Sequence, residues 1–295
     1  MNKMNKLQIW LMAIRPKTLS AAISPVMIAT AMAFGDGVYD FYIAFLCLVG
    51  ALLIQIGTNL ANDYFDFKKG ADTNERIGPT RVSQAGLIKP QTMVWTITII
   101  FGLSIFICYL LILQGGWIIA VIGVLSILSG IFYTAGPRPL GYLGLGEIFV
   151  LIFFGPIAVS TTYYLQSLEI NMAVFLSGFA PGLLSMAILG VNNLRDIDSD
   201  RKSNKNTLAV RFGRSFALTE YLICIFTASI IPVLIYALIE DHLPIISTVI
   251  IPLLAIPSIK MVLTKIDGPS LNQALANTGK LLFLYSLLFS IGWIL

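Results

Sequence analysis

Long apolar runs constrain this chain more than any other feature. They recur at residues 18–34, 41–61, 92–113, 117–134, 148–165, 172–191, 216–238, 243–259 and 275–295. A bilayer's hydrocarbon core is about 30 Å thick and takes about 20 residues of helix to cross. Backbone N–H and C=O groups find no water there, so each run must close its own hydrogen bonds as a helix. The pattern therefore predicts an all-α, polytopic membrane protein with about nine transmembrane helices. Composition agrees, with 12% charged residues against about 25% in soluble domains. No low-complexity tract or Pro/Ser-rich linker interrupts the runs, so residues 1–295 are expected to form a single integral-membrane domain.

Basic residues set the orientation. The connections 35–40, 114–116, 166–171 and 239–242 contain no Lys or Arg, whereas the 19 basic residues gather in the N-terminal tail, the alternate connections and the adjoining helix entries. By the positive-inside rule the N-terminus is cytoplasmic and, with an odd number of crossings, the C-terminus is outside. The first run follows Arg15 and Lys17 and contains "ATAMA", but its length and the eight runs behind it favour a retained helix over a cleaved signal peptide. Ahead of it, Leu7, Trp10, Leu11 and Ile14 recur at helical spacing among basic residues. They form either an interfacial amphipathic helix or the start of a longer first helix. Cys47, Cys108 and Cys224 lie far apart in apolar runs and read as free thiols, and the lone His242 argues against a histidine-based centre. The expected surroundings are a lipid bilayer, with no nucleic-acid partner.

Two connections, 62–91 and 192–215, concentrate the side chains capable of chemistry. In "NLANDYFDFKKGADTNERIGPTRVSQAGL" (59–87), a helix continuing past Ala61 places Asn62 and Asp66 one turn apart on one face. Asp63 is three residues from Asp66, and Asp72 follows. In "VNNLRDIDSDRKSNKNTLAVRFG" (191–213), Asn192, Asp196 and Asp200 succeed one another at four-residue steps. Asp198 lies about 200° round the helix from Asp196 and is expected to face solvent. Asn-xxx-Asp thus occurs twice, 130 residues apart, at helix ends on the same side.

Carboxylates in such numbers repel one another unless cations hold them. Oxygen ligands of the Asp and Asn type suit Mg²⁺, which commonly bridges to substrate phosphates. Lys68, Arg76, Arg81, Arg201, Lys205 and Arg211 then supply phosphate contacts. The pattern predicts a Mg²⁺–diphosphate site at the inner rim of the membrane. Its placement favours a lipid diphosphate whose tail lies among the helices. Charges at helix ends are also ordinarily solvated or purely topogenic, a reading that covers any single Asp more readily than the doubled pattern.

At these residues the sequence resembles the UbiA-type intramembrane aromatic prenyltransferases, over nearly the whole chain. That family's signatures are NDxxDxxxD and DxxxD. The second is intact as Asp196 and Asp200; in the first, Gly70 occupies the last acidic position and Asp72 lies two residues beyond. The shifted form "NDYFDFKKGADTNERIGPTR", with "NNLRDIDSD", "YTAGPRPLGYLGLGE" and "FFGPIAVSTTYYLQ", resembles the branch that acts on 1,4-dihydroxy-2-naphthoate in menaquinone synthesis.

The resemblance implies two Mg²⁺ ions held by Asn62, Asp66, Asp196 and Asp200, assisted by Asp63 and Asp72. Arg15, Lys68, Lys205 and Arg211 would help the diphosphate of a polyprenyl donor leave, with Arg81 and Asn192 as further substrate contacts. Tyr133 and Arg138 stand where the family has Tyr-xxx-Lys, with Arg138 one place late. The naphthoate ring would then attack an allylic cation-like centre at its carboxyl-bearing carbon, and CO₂ would be lost. Tyr133, Tyr163 and Tyr164 are candidates either for a pocket that keeps water from the cation or for interfacial anchors. The implied location is a bacterial plasma membrane.

Two alternatives stay open: another acceptor, such as 4-hydroxybenzoate, or a cation-coupled transporter. The transporter fits less well because both acidic clusters lie at helix ends. Only Glu220 and Lys280 intrude into the spans, each expected to reach the interface by snorkelling.

Overall fold

The computed structural model describes residues 4–70 and 78–295, so Asp72 and Arg76 lie outside the described residues. Among the described residues there are helices and no strands. Helix α1 (Lys6–Ile14) begins at a reciprocal cap, in which Asn5 Oδ1 accepts the Gln8 N–H and Gln8 Oε1 accepts the Asn5 N–H. Arg15 ends it in the left-handed region (φ 57°), Pro16–Thr18 make a tight turn, and α2 (Ser20–Gly35) departs at 51°. The N-terminal segment is thus a separate short helix joined to the first apolar run by a sharp bend.

Helix α3 (Phe41–Lys68) runs seven residues past the apolar stretch, carrying Asn62, Asp63 and Asp66 on its last two turns. Helices α4 (Pro90–Gly115) and α5 (Trp117–Phe132) form a hairpin beside it. The run 148–165, expected as one helix, is broken into α6 (Gly146–Phe153) and α7 (Pro156–Ser167). The next run is broken at Gly178 into α8 (Met172–Ser177) and α9 (Phe179–Arg195).

The two breaks touch. A Cβ on Gly178 would stand 2.6 Å from Pro156 Cα, and one on Gly155 would stand 2.7 Å from the Gly178 carbonyl oxygen. Only backbone fits between them, so the small residues set the helix approach. Short α10 (Ile197–Lys202) follows, then α11 (Leu208–Ile239), kinked at Gly213 (φ 82°). A 3₁₀ segment (Leu243–Ile250) leads into α12 (Ile251–Thr264), and α13 (Gly268–Ile294) ends the chain.

Among the described residues, seven helical segments are long and apolar enough to cross a membrane, or eight counting the bent α1–α2 pair. The nine expected crossings differ from this count at α5. Its 16 residues span only about 24 Å at 1.5 Å per residue.

The main core joins α2, α9, α11 and α13 around Ile28, Met32, Leu184, Ile225, Tyr285 and Phe289. Helices α3, α4 and α5 stand apart from it, and between the two halves α2, α6 and α7 close a cavity of about 1170 Å³ including its mouth. The cavity runs along α5 from Tyr133 to Ile119 and is lined almost entirely by apolar and small residues. A smaller core of Ala13, Leu60, Val82, Ile88 and Met93 fixes the segment after α3 against α1, α3 and α4.

Candidate active site

The charged end of α3 and the charged segment after α9 are joined through Tyr142 and Lys205 near the Tyr133 end of the cavity. Because α3 continues as a helix through Lys68, Asn62 and Asp66 share a face, as their spacing predicts. Asp66 is 4% exposed; its Oδ1 accepts the Tyr142 hydroxyl at 3.0 Å, and its Oδ2 accepts Arg81 Nη2 at 3.2 Å. Asn62 Oδ1 accepts the Thr134 hydroxyl at 2.8 Å, one residue beyond the cavity-lining Tyr133. Asp63 faces the other way. Its two oxygens accept the backbone N–H groups of Val82 and Ser83 at 3.2 and 2.9 Å, which presents the neighbouring Arg81 to Asp66. Four residues before Asp63, Asn59 Nδ2 donates to the Ile14 carbonyl at 2.8 Å, tying the Arg15 bend to α3.

The second cluster keeps its four-residue steps although its helix does not run straight. Helix α9 stops at Arg195 and α10 starts at Ile197, but the Asp196 N–H donates to the Asn192 carbonyl and the Asp200 N–H to the Asp196 carbonyl. Asp196 and Asp200 are buried and Asp198 is exposed, as the helical angle predicts. Arg195 Nε donates to Asp196 Oδ1 at 2.8 Å while its Nη2 donates to Asp196 Oδ2 and to Asn192 Oδ1. Its Nη1 donates to Asn272 Oδ1 on α13. Lys205 Nζ stands 3.6 Å from Asp200 Oδ1.

Tyr142 joins the clusters. With its hydroxyl on Asp66, its ring lies 4.8 Å from Lys69 Nζ and 5.8 Å from Lys205 Nζ. A continuous set of contacts thus runs Asp66–Tyr142–Lys205–Asp200. Lys69 also donates to the carbonyls of Thr134 and Gly136 at 2.7 and 2.9 Å. Partial desolvation holds its ammonium below the usual lysine range, with Asp66 pulling it back up.

Other expected residues lie differently. Lys68 is exposed, and its neighbour Lys69 is the lysine that reaches the cluster. Arg138 is exposed on its loop. Arg211, also exposed, donates to the carbonyls of Asn206 and Leu143 and so braces two loops. Arg15 sits at the α1–α2 bend, half-buried. Tyr133 lines the cavity, but Tyr163 and Tyr164 lie toward its far end. There the Tyr163 hydroxyl donates to Asp36 and the Tyr164 hydroxyl to the Gly115 carbonyl. Glu220 does not snorkel. Its short side chain is held inside, 8% exposed, against Gly190 of α9, whereas Lys280 is exposed.

The model of the UbiA prenyltransferase family matches residues 22–289 of this sequence. The chain belongs to the UbiA prenyltransferase family. It is 39% identical to the 1,4-dihydroxy-2-naphthoate octaprenyltransferase of Escherichia coli (strain K12), an alignment covering 98% of this chain and 96% of that protein. It is 30% identical to the human UbiA prenyltransferase domain-containing protein 1, covering 97% of this chain and 83% of that one. Among solved structures, a UbiA homolog from Archaeoglobus fulgidus bound to DMAPP and Mg²⁺ superposes with a TM-score of 0.66 at 16% identity, covering 97% and 98% of the two chains. This UbiA-family chain is therefore a multi-pass membrane prenyltransferase.

In this UbiA-family site the sequence reading missed Arg195, Tyr142, Lys69 and Asn272. Arg195 carried a signal, an arginine directly beside an acidic-motif Asp. Asn272 carried none, since only the packing of α13 on α9 brings it in.

Proposed function

We propose that the protein transfers a polyprenyl group from a polyprenyl diphosphate to 1,4-dihydroxy-2-naphthoate, with loss of CO₂, in the cell membrane. One observation carries the reading: both Asn-xxx-Asp clusters are linked through Tyr142 at the Tyr133 end of a long apolar cavity. A charged headgroup and a lipid tail need that combination. The names borne by relatives, naphthoate octaprenyltransferases in Escherichia coli and Haemophilus influenzae, support the acceptor.

The donor set fits Mg²⁺. Asn62, Asp66, Asp196 and Asp200 offer hard oxygens, and among the described residues no three His, Cys, Asp or Glu side chains converge. Magnesium requires no such cage, because substrate phosphates and water complete its shell around one or two carboxylates. Bound there, it supplies positive charge that stabilises the departing diphosphate.

The chain's own residues do the rest. Asp63 holds the 81–83 segment so that Arg81 faces the headgroup. Lys69 and Lys205 flank it across the Tyr142 ring. The apolar cavity beyond Tyr133 takes the tail and keeps water from the allylic centre.

The test is product formation by purified protein given Mg²⁺, a polyprenyl diphosphate and either dihydroxynaphthoate or 4-hydroxybenzoate, with a chelator control. Prenylated naphthoquinol with CO₂ release, lost on chelation, is expected. Product from 4-hydroxybenzoate alone would replace the acceptor, and product from neither would end the reading.

Tyr142 gives a second expectation. Removing a group that orients a metal ligand typically weakens metal binding 10–100-fold. Tyr142→Phe keeps the ring between the lysines and deletes only the hydroxyl on Asp66. The Mg²⁺ concentration for half-maximal turnover should rise about 10–100-fold, with kcat at saturating Mg²⁺ within a few-fold of wild type. An unchanged Mg²⁺ requirement would show that the Tyr142 hydroxyl does not orient Asp66 for the metal.

A further inference from the structure

Beside the Tyr133 end of the cavity stands an acid that belongs to neither Asn-xxx-Asp cluster. Glu147, in the first turn of α6, is 1% exposed. Its Oε1 accepts the Asn193 amide of α9 at 2.7 Å, and its own backbone N–H also supports the carboxylate. Its Oε2, buried as well, has no hydrogen-bond partner among the described residues. A buried polar oxygen left unmet is costly, so it calls for a use. Gly146 packs so closely on the Tyr133 phenol that a Cβ there would stand 2.7 Å from the hydroxyl oxygen. Tyr133 lines the cavity, as do Val150 and Phe154, which continue the Glu147 face of α6 one and two turns on. The phenol thus borders the cavity on one side and the start of α6, with its sealed carboxyl, on the other.

The transfer proposed above needs a group that borrows a proton. The acceptor's hydroxyl beside the carboxyl-bearing carbon loses its proton as that carbon bonds to the donor's C1, while the C1–O electron pair leaves with the diphosphate. The ring then holds a ketone next to a quaternary carbon that carries both the prenyl group and the carboxylate. When the bond to the carboxylate breaks, its electron pair flows to the ketone oxygen, CO₂ departs, and that oxygen regains a proton. One proton is taken and returned, with none drawn from solvent. The cluster carboxylates face the metal in that reading; Glu147 is not among them.

We propose that Glu147 Oε2 takes this proton through the Tyr133 hydroxyl and gives it back by the same route. The inference rests on the dihydroxynaphthoate reading above. A phenol both accepts and donates, so Tyr133 receives the acceptor's proton as it passes its own to Oε2. The Asn193 amide occupies Oε1 and leaves Oε2 for the proton.

The test compares turnover with donor binding in full-length protein in detergent, given Mg²⁺, geranyl diphosphate and dihydroxynaphthoate under argon. Glu147→Gln keeps the shape and an oxygen for the Asn193 amide but takes up no proton. General acid–base help is worth about 10²–10⁴-fold, so turnover at about pH 7 should fall at least about 100-fold. Inhibition by geranyl methylenebisphosphonate, a non-cleavable donor analogue, should stay within about threefold of wild type. The deficit should shrink about tenfold per pH unit between about pH 7 and 9, because the ionised fraction of a hydroxyl rises tenfold per unit below its pKa and an ionised acceptor needs no base. Tyr133, Lys205 and Glu220 stand within electrostatic reach of Glu147. Of the elements packed on α6, the turn before it carries Tyr142, α9 carries Arg195, and α7 carries Tyr163 and Tyr164. All are present in both proteins, so the ratio of their rates isolates Glu147.

Tyr133→Phe keeps the ring in the cavity wall and carries the test should Glu147→Gln fail to fold. It should show the same deficit and the same pH trend, and the double variant should lose little more than either. In either folded variant, turnover within about threefold of wild type would mean that the acceptor's own carboxylate takes the proton. A deficit constant with pH, or matched by weaker analogue binding, would mean a structural role. Each of these overturns the relay and leaves the transferase reading standing. Wild type that makes no product from dihydroxynaphthoate overturns the acceptor reading and the relay with it.

Discussion

Asp66→Asn and Asp196→Asn should each lower turnover by about a thousandfold or more, the upper end of what loss of one preorganised transition-state stabiliser costs. Both carboxylates are buried, 4% exposed; Asp66 holds one end of the Tyr142 bridge, and Asp196 stands one helical turn before Asp200 at the other. Asparagine is the informative substitution because it keeps size and one acceptor. Alanine at Asp196 would leave Arg195 as a buried cation without its bidentate partner, a destabilisation of about 3–5 kcal/mol that would confuse catalysis with folding. Combining the two should cost little more than either alone, since groups that act as one unit are not additive. The measurement is product formation by purified variants that elute as wild type on size exclusion. Turnover within tenfold of wild type in either would remove that carboxylate from the metal site.

These carboxylates were legible in the sequence for a simple reason. Four-residue spacing on a helix is a geometric statement, and both clusters sit where an apolar run gives way to charge. Membrane character was legible for a similar reason, because lipid leaves a long apolar run little choice but a helix. Hydropathy did not reveal the breaks at Gly155 and Gly178, which leave the apolar pattern intact and arise from backbone contact between distant segments.

Cations were read less well than anions. A loop lysine or arginine serves topology, solvation and catalysis with the same letter, and only packing distinguishes them. Lys68 and Lys69 differ by one helical step, yet Lys69 alone reaches the Tyr142 ring. Arg211 fits the expected composition but bonds two loop carbonyls. Arg195 stands in the charged helix end, and its burial depends on α13, which is more than 70 residues away in sequence. Tyr142 lay inside a quoted motif, but the neighbouring Tyr133 drew the assignment. The structure gives both a place: Tyr133 lines the cavity, and Tyr142 holds Asp66.

Ser126→Phe should separate long donors from short ones. Ser126 lines the cavity on α5, two turns from Tyr133, about 10 Å deeper at 1.5 Å per residue. A short donor such as dimethylallyl diphosphate would end before it, and a long polyprenyl tail would have to pass it. Among the described residues the serine hydroxyl bonds only the Ile122 carbonyl of its own helix, so its loss releases no contact between the described helices. Gly123 is a poorer choice, because a Cβ there would stand 2.2 Å from Cys108 Sγ and would push α5 off α4. Forcing extra bulk into a packed site costs about 1–3 kcal/mol, which converts to roughly 5–150-fold in rate. Turnover with a long donor should therefore fall by about 10–100-fold while turnover with dimethylallyl diphosphate stays within about threefold. An equal loss with both donors would mean that the phenylalanine disturbs the site itself. Equal retention would mean that the tail does not lie along α5, and the cavity would lose its assignment as the tail's binding site.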